Sequence, residues 1–128
     1  MKTGRLQWSG GEHEFALPIG KLRALQDACD AGPEEIFNRL RTGRWKVCDI
    51  IEPIRLGLIG GGLTDGEAQK LVMPLLNLHP LMEFKLTAIT ILAAALLGVK
   101  DDPVGEGQGD RSDPPKNGAS ASSTAAEQ

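Results

Sequence analysis

The sequence predicts a mostly α-helical domain with an N-terminal β-hairpin, built as a small bundle of about five helices and followed by a disordered tail. Two short segments of alternating polarity flank Gly10 and Gly11, and apolar residues then recur at helical spacing between residues 19 and 98. Residues 100–128 are rich in Gly, Pro, Ser, Ala and charge. We therefore expect one domain over residues 1–99 and a disordered acidic tail over residues 100–128.

The hairpin is predicted over residues 4–8 and 13–17, joined by a turn at Ser9, Gly10 and Gly11. Glycine in the turn supplies the positive backbone angles that a tight hairpin needs. Because an isolated hairpin is only marginally stable in water, it must lie on the helices. The side chains expected to form its buried face are Leu6, Trp8, Phe15 and Leu17.

The first three helices are predicted from their end signals. The first covers about residues 19–30, and the second covers about 34–42 after the stop and restart at Gly32 and Pro33. Asp49 is the expected N-cap of the third helix, which would hold Pro53 in its first turn.

Two more helices follow a corner at Gly60, Gly61 and Gly62. Thr64 and Glu67 have the spacing of a capping box for the fourth helix, and Pro74 should kink or end that helix. The last helix is expected over about residues 80–98, with His79 as its N-cap or turn residue. Its leucines and alanines predict that it forms the centre of the core.

The charge balance disfavours nucleic acid as a partner. Residues 1–98 hold 11 Lys or Arg against 11 Asp or Glu, whereas residues 99–128 hold 3 against 6. Phosphate binding needs clustered cations, and the only local basic cluster consists of Arg39, Arg41, Arg44 and Lys46. We interpret that cluster as the solvated end of the second helix, where cations complement the helix dipole.

Nothing in the sequence predicts export or membrane insertion. The N-terminus lacks the apolar stretch of a secretory signal, and the most apolar segment, Leu86–Val99, is shorter than the roughly 20 residues that cross a bilayer. The two cysteines have neither the density nor the spacing of a disulfide framework. We expect a reduced, cytoplasmic protein without a membrane partner.

Four constellations could suggest chemistry, and each has a simpler explanation. The glycines of Gly57–Gly62 follow a helix and lack the Lys of a phosphate loop, and the two thiols have no His nearby in sequence. The two histidines lack further metal ligands, and the exposed glutamates lack a pocket. We predict no enzyme, catalytic residue, metal or cofactor. The residues concerned are Cys29 and Cys48, His13 and His79, and Glu12, Glu14, Glu34 and Glu35.

Because the sequence shows no catalytic, metal or cofactor site, we expect the protein to act by contact with other proteins. Aromatic side chains are few, so any aromatic anchor for a partner comes from a short set. Trp45, in the predicted link between the second and third helices, is expected to be partly exposed. Most of the others should pack in the core. The candidate partner-binding residues are Trp8, Phe15, Trp45, Arg41 and Arg44. The hairpin, as a lid over one end of the core, could also offer a free edge to a strand of another protein.

Three stretches resemble a known family: GGEHEFALPIGKLRALQDACDAGPEEIFNRL, then DIIEPIRLGLIGGGLTDGEAQKLV, then ITILAAALLG. Together they are similar to the small tail assembly chaperones of siphophage-like tails in the gene transfer agent family, found in alphaproteobacterial prophages and gene transfer agents. The resemblance covers about residues 4–99. It depends on the order of hairpin, Pro-initiated helix, Gly-rich corner and Ala-rich last helix.

The resemblance implies a non-catalytic helper that is absent from the mature particle. Such a helper binds the tail tape measure protein, the major tail tube protein or both in the cytoplasm of the bacterial host cell, and a second tail chaperone is a further candidate partner. Two alternatives remain open: a small structural or connector protein retained in the tail, and a regulatory helical binding domain. The neutral charge of residues 1–98 disfavours the regulatory alternative.

Overall fold

The computed structural model describes residues 2–98 of the chain, so the tail predicted for residues 100–128 lies outside the described residues. Within that range the predicted fold class is confirmed, because five α-helices follow an antiparallel two-stranded hairpin. The strands are β1 (Lys2–Trp8) and β2 (Gly11–Ala16), and the helices are α1 (Ile19–Cys29), α2 (Pro33–Thr42), α3 (Val47–Gly60), α4 (Asp65–Leu78) and α5 (Lys85–Leu97), with a short 3-10 helix at Leu81–Phe84.

The hairpin lies on the helices through the predicted face. Its register pairs Trp8 with Gly11 and Leu6 with His13, and a bulge at Gly4, which has a φ of 92°, shifts the register near the start of β1. Phe15 and Leu17 are fully buried, while Leu6 and Trp8 are half-buried against the same core. Packing on the helices therefore supplies the support that an isolated hairpin lacks.

The centre of the core is α3, not the last helix as the sequence predicted. α3 packs against β2 and against each of the other four helices. The last helix is apolar around its whole circumference, yet it buries only Ala88, Ile91 and Leu92. Composition predicted burial of α5 on every side, whereas its packing partners cover one side only.

The start of α3 differs from the prediction. Lys46 is the N-cap, and Asp49 lies at the third helical position, where its carboxylate accepts the backbone N–H of Lys46 at 2.8 Å. The helix therefore begins three residues earlier than an Asp49 cap would allow. Pro53 then falls inside α3, because the buried side chains of Ile50, Ile54 and Leu58 stabilise the helix beyond the hydrogen bond that proline removes.

The end of α4 also differs from the prediction. The capping box of Thr64 and Glu67 is present, with hydrogen bonds of 3.1 and 2.9 Å. Pro74 does not end the helix, which continues to Leu78. His79 is the C-cap of α4 and not the N-cap of the last helix, because Pro80 and a 3-10 turn come between that residue and α5.

Within residues 2–98, no helix combines the length and the apolar character that crossing a bilayer demands.

Candidate interaction surface

A buried ion pair joins α2 to α3. Nε and Nη2 of Arg39 donate to the two carboxylate oxygens of Asp49 at 2.9 and 2.8 Å, and Asp49 is 0% exposed. The hydrogen bond to Asp49 raises the pKa of Arg39, so the guanidinium keeps its positive charge. Arg39 is thus a structural residue that connects two helices, which corrects its interpretation as part of a solvated basic cluster.

The remaining basic residues of that cluster do lie at the surface. Arg41 is exposed, and its guanidinium stacks over the ring of Phe37 at 5.1 Å from the centroid. Arg44 is exposed beside a shallow cavity that Glu35 and Asn38 also line. These two arginines can therefore contact a partner without any rearrangement of the fold.

The aromatic candidates fall into different environments. Trp45 lies between α2 and α3, half-buried against the core, and so keeps part of its indole at the surface as expected. Phe15 is fully buried. A partner could reach Phe15 only if the hairpin lifted from the helices, so its observed role is core packing.

Trp8 belongs to an aromatic cluster at the tip of the hairpin. Its indole N–H donates to Nδ1 of His13 at 2.9 Å, and its ring meets Phe15 and Phe84 edge-on with centroids 5.8 and 6.3 Å apart. His79 stacks edge-on against Phe84 at 6.2 Å. Each histidine thus has a partner within the described residues, and the contact of Trp8 with Phe84 joins the hairpin to the 3-10 turn.

The glycine corner, defined as Gly60, Gly61 and Gly62, covers one edge of the hairpin. A Cβ atom at Gly60 would overlap the backbone carbonyl of Ala16, and one at Gly61 would overlap the carbonyl of Glu14. The end of α3 therefore touches the backbone of β2 directly, which only glycine permits. Of the two strands, β1 is the one whose edge this corner leaves open.

Cys29, Cys48 and Asp49 form the one group within the described residues whose ligand atoms could surround a metal ion, since these atoms lie within 4.8 Å of one another. The donor set does not fit a metal well. Both oxygens of Asp49 already accept hydrogen bonds from Arg39, and burial, followed by the hydrogen bond to Cys48, raises the pKa of Cys29. A thiol that resists deprotonation is a poor ligand.

One apolar surface was not predicted from the sequence. The α5 outer face consists of Leu86, Thr90 and Leu97, which follow one another at spacings of four and seven residues, opposite the buried side of α5. Leu86 and Leu97 are 71% and 76% exposed. The Thr90 hydroxyl donates to the carbonyl of Leu86 at 2.8 Å, so it needs no outside partner.

The signal for this face was present in the sequence but ambiguous. A helix that is apolar on every side is typical of a buried core element, and the sequence alone could not identify the side that lacks a covering helix. Exposed Leu78 and Met82 precede the α5 outer face along the chain. With Leu86 and Leu97, they make four large apolar side chains exposed between residues 78 and 97, and exposed apolar patches are typical of sites of protein contact.

Comparison with known proteins relates nearly the whole described region to a family. A family model described as "Phage tail tube protein, GTA-gp10" matches residues 3–98. No curated protein and no solved structure matches the chain. The match includes all five helices and most of the hairpin.

Proposed function

The chain belongs to the family described as phage tail tube protein, GTA-gp10, and from this premise we propose that it is a tail assembly chaperone. In this role it binds the tape measure protein, the tail tube subunits or both before assembly and is displaced as the tail forms. It would act in the cytoplasm of the host cell. The family relationship supports a role in phage tails, and the chaperone role is our finer proposal.

The observation that carries the proposal is the α5 outer face on a chain whose core is otherwise complete. Each helix contributes buried side chains to one continuous core, so the protein does not need a partner to cover that core. The exposed leucines nevertheless form an apolar stripe along one helix. An amphipathic helix of a tail protein can lie along such a stripe through its own apolar positions.

The small size of the stripe favours a contact that can be reversed. α5 has 13 residues and is therefore about 20 Å long. Permanent interfaces commonly bury more than about 2,000 Å², which far exceeds what one side of a single helix can provide. A chaperone must release its client, so modest contact area suits that role better than a permanent assembly.

A second candidate function is that of a structural tail subunit, because the family description names a tail tube protein. A tube subunit would stay in the particle in many copies and would need contacts on several sides. The two functions differ in whether the protein is retained, which can be measured on purified particles.

Co-expression with the tape measure and tube proteins of the same tail tests the chaperone proposal. We expect the wild-type chain to co-purify with at least one of them, and L86E to lose most of that association because a charge interrupts the α5 outer face. The matched control is I19E, since Ile19 is 67% exposed but lies on α1. Absence of any complex for the wild type would contradict the proposal, and equal loss in I19E would contradict the assignment to α5.

A further inference from the structure

A groove between α2 and α5 has an acidic residue at one end and a basic residue at the other, so two copies of the groove placed in opposite directions have complementary charges. The α2–α5 groove is lined by Glu34, Phe37, Asn38, Arg41, Leu96 and Leu97. Glu34 and Arg41 stand seven residues apart, so they lie on the same side of α2 at opposite ends. Leu97, which is exposed, supplies apolar surface beside them.

Neither charge is satisfied within the described part of the chain. The neighbouring acid Glu35 pairs with Arg39 at 3.6 Å, whereas Glu34 and Arg41 have no opposite charge within ion-pair distance among residues 4–98. Arg41 is held over Phe37. Its guanidinium is therefore already positioned at the groove with its donors free for a carboxylate.

We propose that two copies of this chain associate through their α2–α5 grooves, with Glu34 of each copy pairing with Arg41 of the other. A two-fold axis passing between Phe37 and Asn38 reverses the direction of α2, which brings each acidic end opposite a basic end. Such an isologous contact uses the same patch on both copies. Leu97 of each copy lies beside the paired charges and loses water when the groove closes.

The dimer is weak and depends on protein concentration. α2 has 10 residues and is about 15 Å long, so the contact falls short of the roughly 800 Å² per partner that a standard interface buries. The two ion pairs set the orientation more than the strength of association. This inference concerns the isolated chain and does not depend on which tail protein it serves.

Sedimentation velocity of the full-length protein over a wide concentration range tests the proposal. We expect reversible dimerisation of the wild type, and a dissociation constant raised at least about tenfold in E34R and in R41E, because like charges then face each other. An equimolar mixture of E34R and R41E should recover the dimer, since each arginine again meets a glutamate. Circular dichroism of each variant checks that the helices are retained.

The control variants D27R and R23E make the same changes of net charge on the exposed side of α1 and should dimerise as the wild type does. A wild-type chain that stays monomeric at every concentration would overturn the proposal. So would a mixture that fails to restore association, or control variants that weaken it equally. Loss of a tail-protein complex in E34R without any dimer would assign the groove to that protein instead.

Discussion

At the scale of single residues, the pair of Arg39 and Asp49 contributes most clearly to the fold. Asp49 accepts both hydrogen bonds from the guanidinium and also the backbone N–H of Lys46. One buried carboxylate thus joins the second helix to the third and closes the first turn of α3. The sequence predicted a capping role for Asp49 but could not predict its partner, because the pair forms only when α2 and α3 pack together.

Replacing Asp49 by Asn should destabilise the protein by about 3 kcal/mol, because Arg39 would keep its charge and lose its buried carboxylate, with only the exposed Glu35 left within the described residues as an acidic partner at 3.6 Å. The matched control is E52Q, which breaks the half-buried pair of Glu52 with Arg55 on the same helix and should cost less than about 1 kcal/mol. Urea unfolding measures both free energies. Equal losses in the two variants would contradict the structural role of Asp49.

Cys29 should make stability depend on alkaline pH. Burial and the hydrogen bond to Cys48 raise the pKa of the folded thiol above its ordinary value of 9.0, so the folded state holds this proton more tightly than the unfolded chain does. Its contribution is complete below pH 9.0 and is lost progressively as the pH rises above that value.

Thermal unfolding between neutral and alkaline pH measures this effect. In C29A, stability should fall less steeply as the pH rises above the thiol's ordinary pKa. In C48A, most of the wild-type fall in stability should remain, because burial is the largest cause of the raised pKa of Cys29. A fall of the same steepness in C29A and the wild type would show that other groups cause it.

At the scale of elements, the sequence predicted the hairpin and the helices well because local signals specify them. Alternation around Gly10 and Gly11 and the capping box at Thr64 act within a few residues. Pro53 lies inside α3 and not in its first turn, and Pro74 does not end α4, because tertiary packing outweighs the local cost of a missing hydrogen bond. The exposed side of α5 could not be predicted, since it depends on where other helices are absent.

The glycine corner offers a prediction at this scale. G60A and G61A should each destabilise the protein by about 2 kcal/mol or more, because a methyl group would overlap the backbone of β2. G66A is the control, since nothing lies within 4 Å of a Cβ at that helical position, and it should stabilise by about 0.5–1 kcal/mol. Chemical denaturation compares the three, and destabilisation by G66A of the same size would refute the close contact.

At the scale of the whole molecule, a complete core is combined with two unpaired surfaces, the α5 outer face and the α2–α5 groove. Within residues 2–98, the one group that could hold a metal has its carboxylate engaged by Arg39. Both surfaces consist of side chains suited to contact with protein. These features support the proposed role, in which the protein binds other tail proteins during assembly and then releases them.

The most direct measurement is the peptide inventory of purified particles, set against that of the lysate in which they assemble. If the protein is a chaperone, its peptides should be abundant in the lysate. In the purified particles they should be no more abundant than those of an unrelated host protein. Peptides of this chain in the particles, in amounts comparable to a tube subunit, would contradict the chaperone role and establish a retained structural protein.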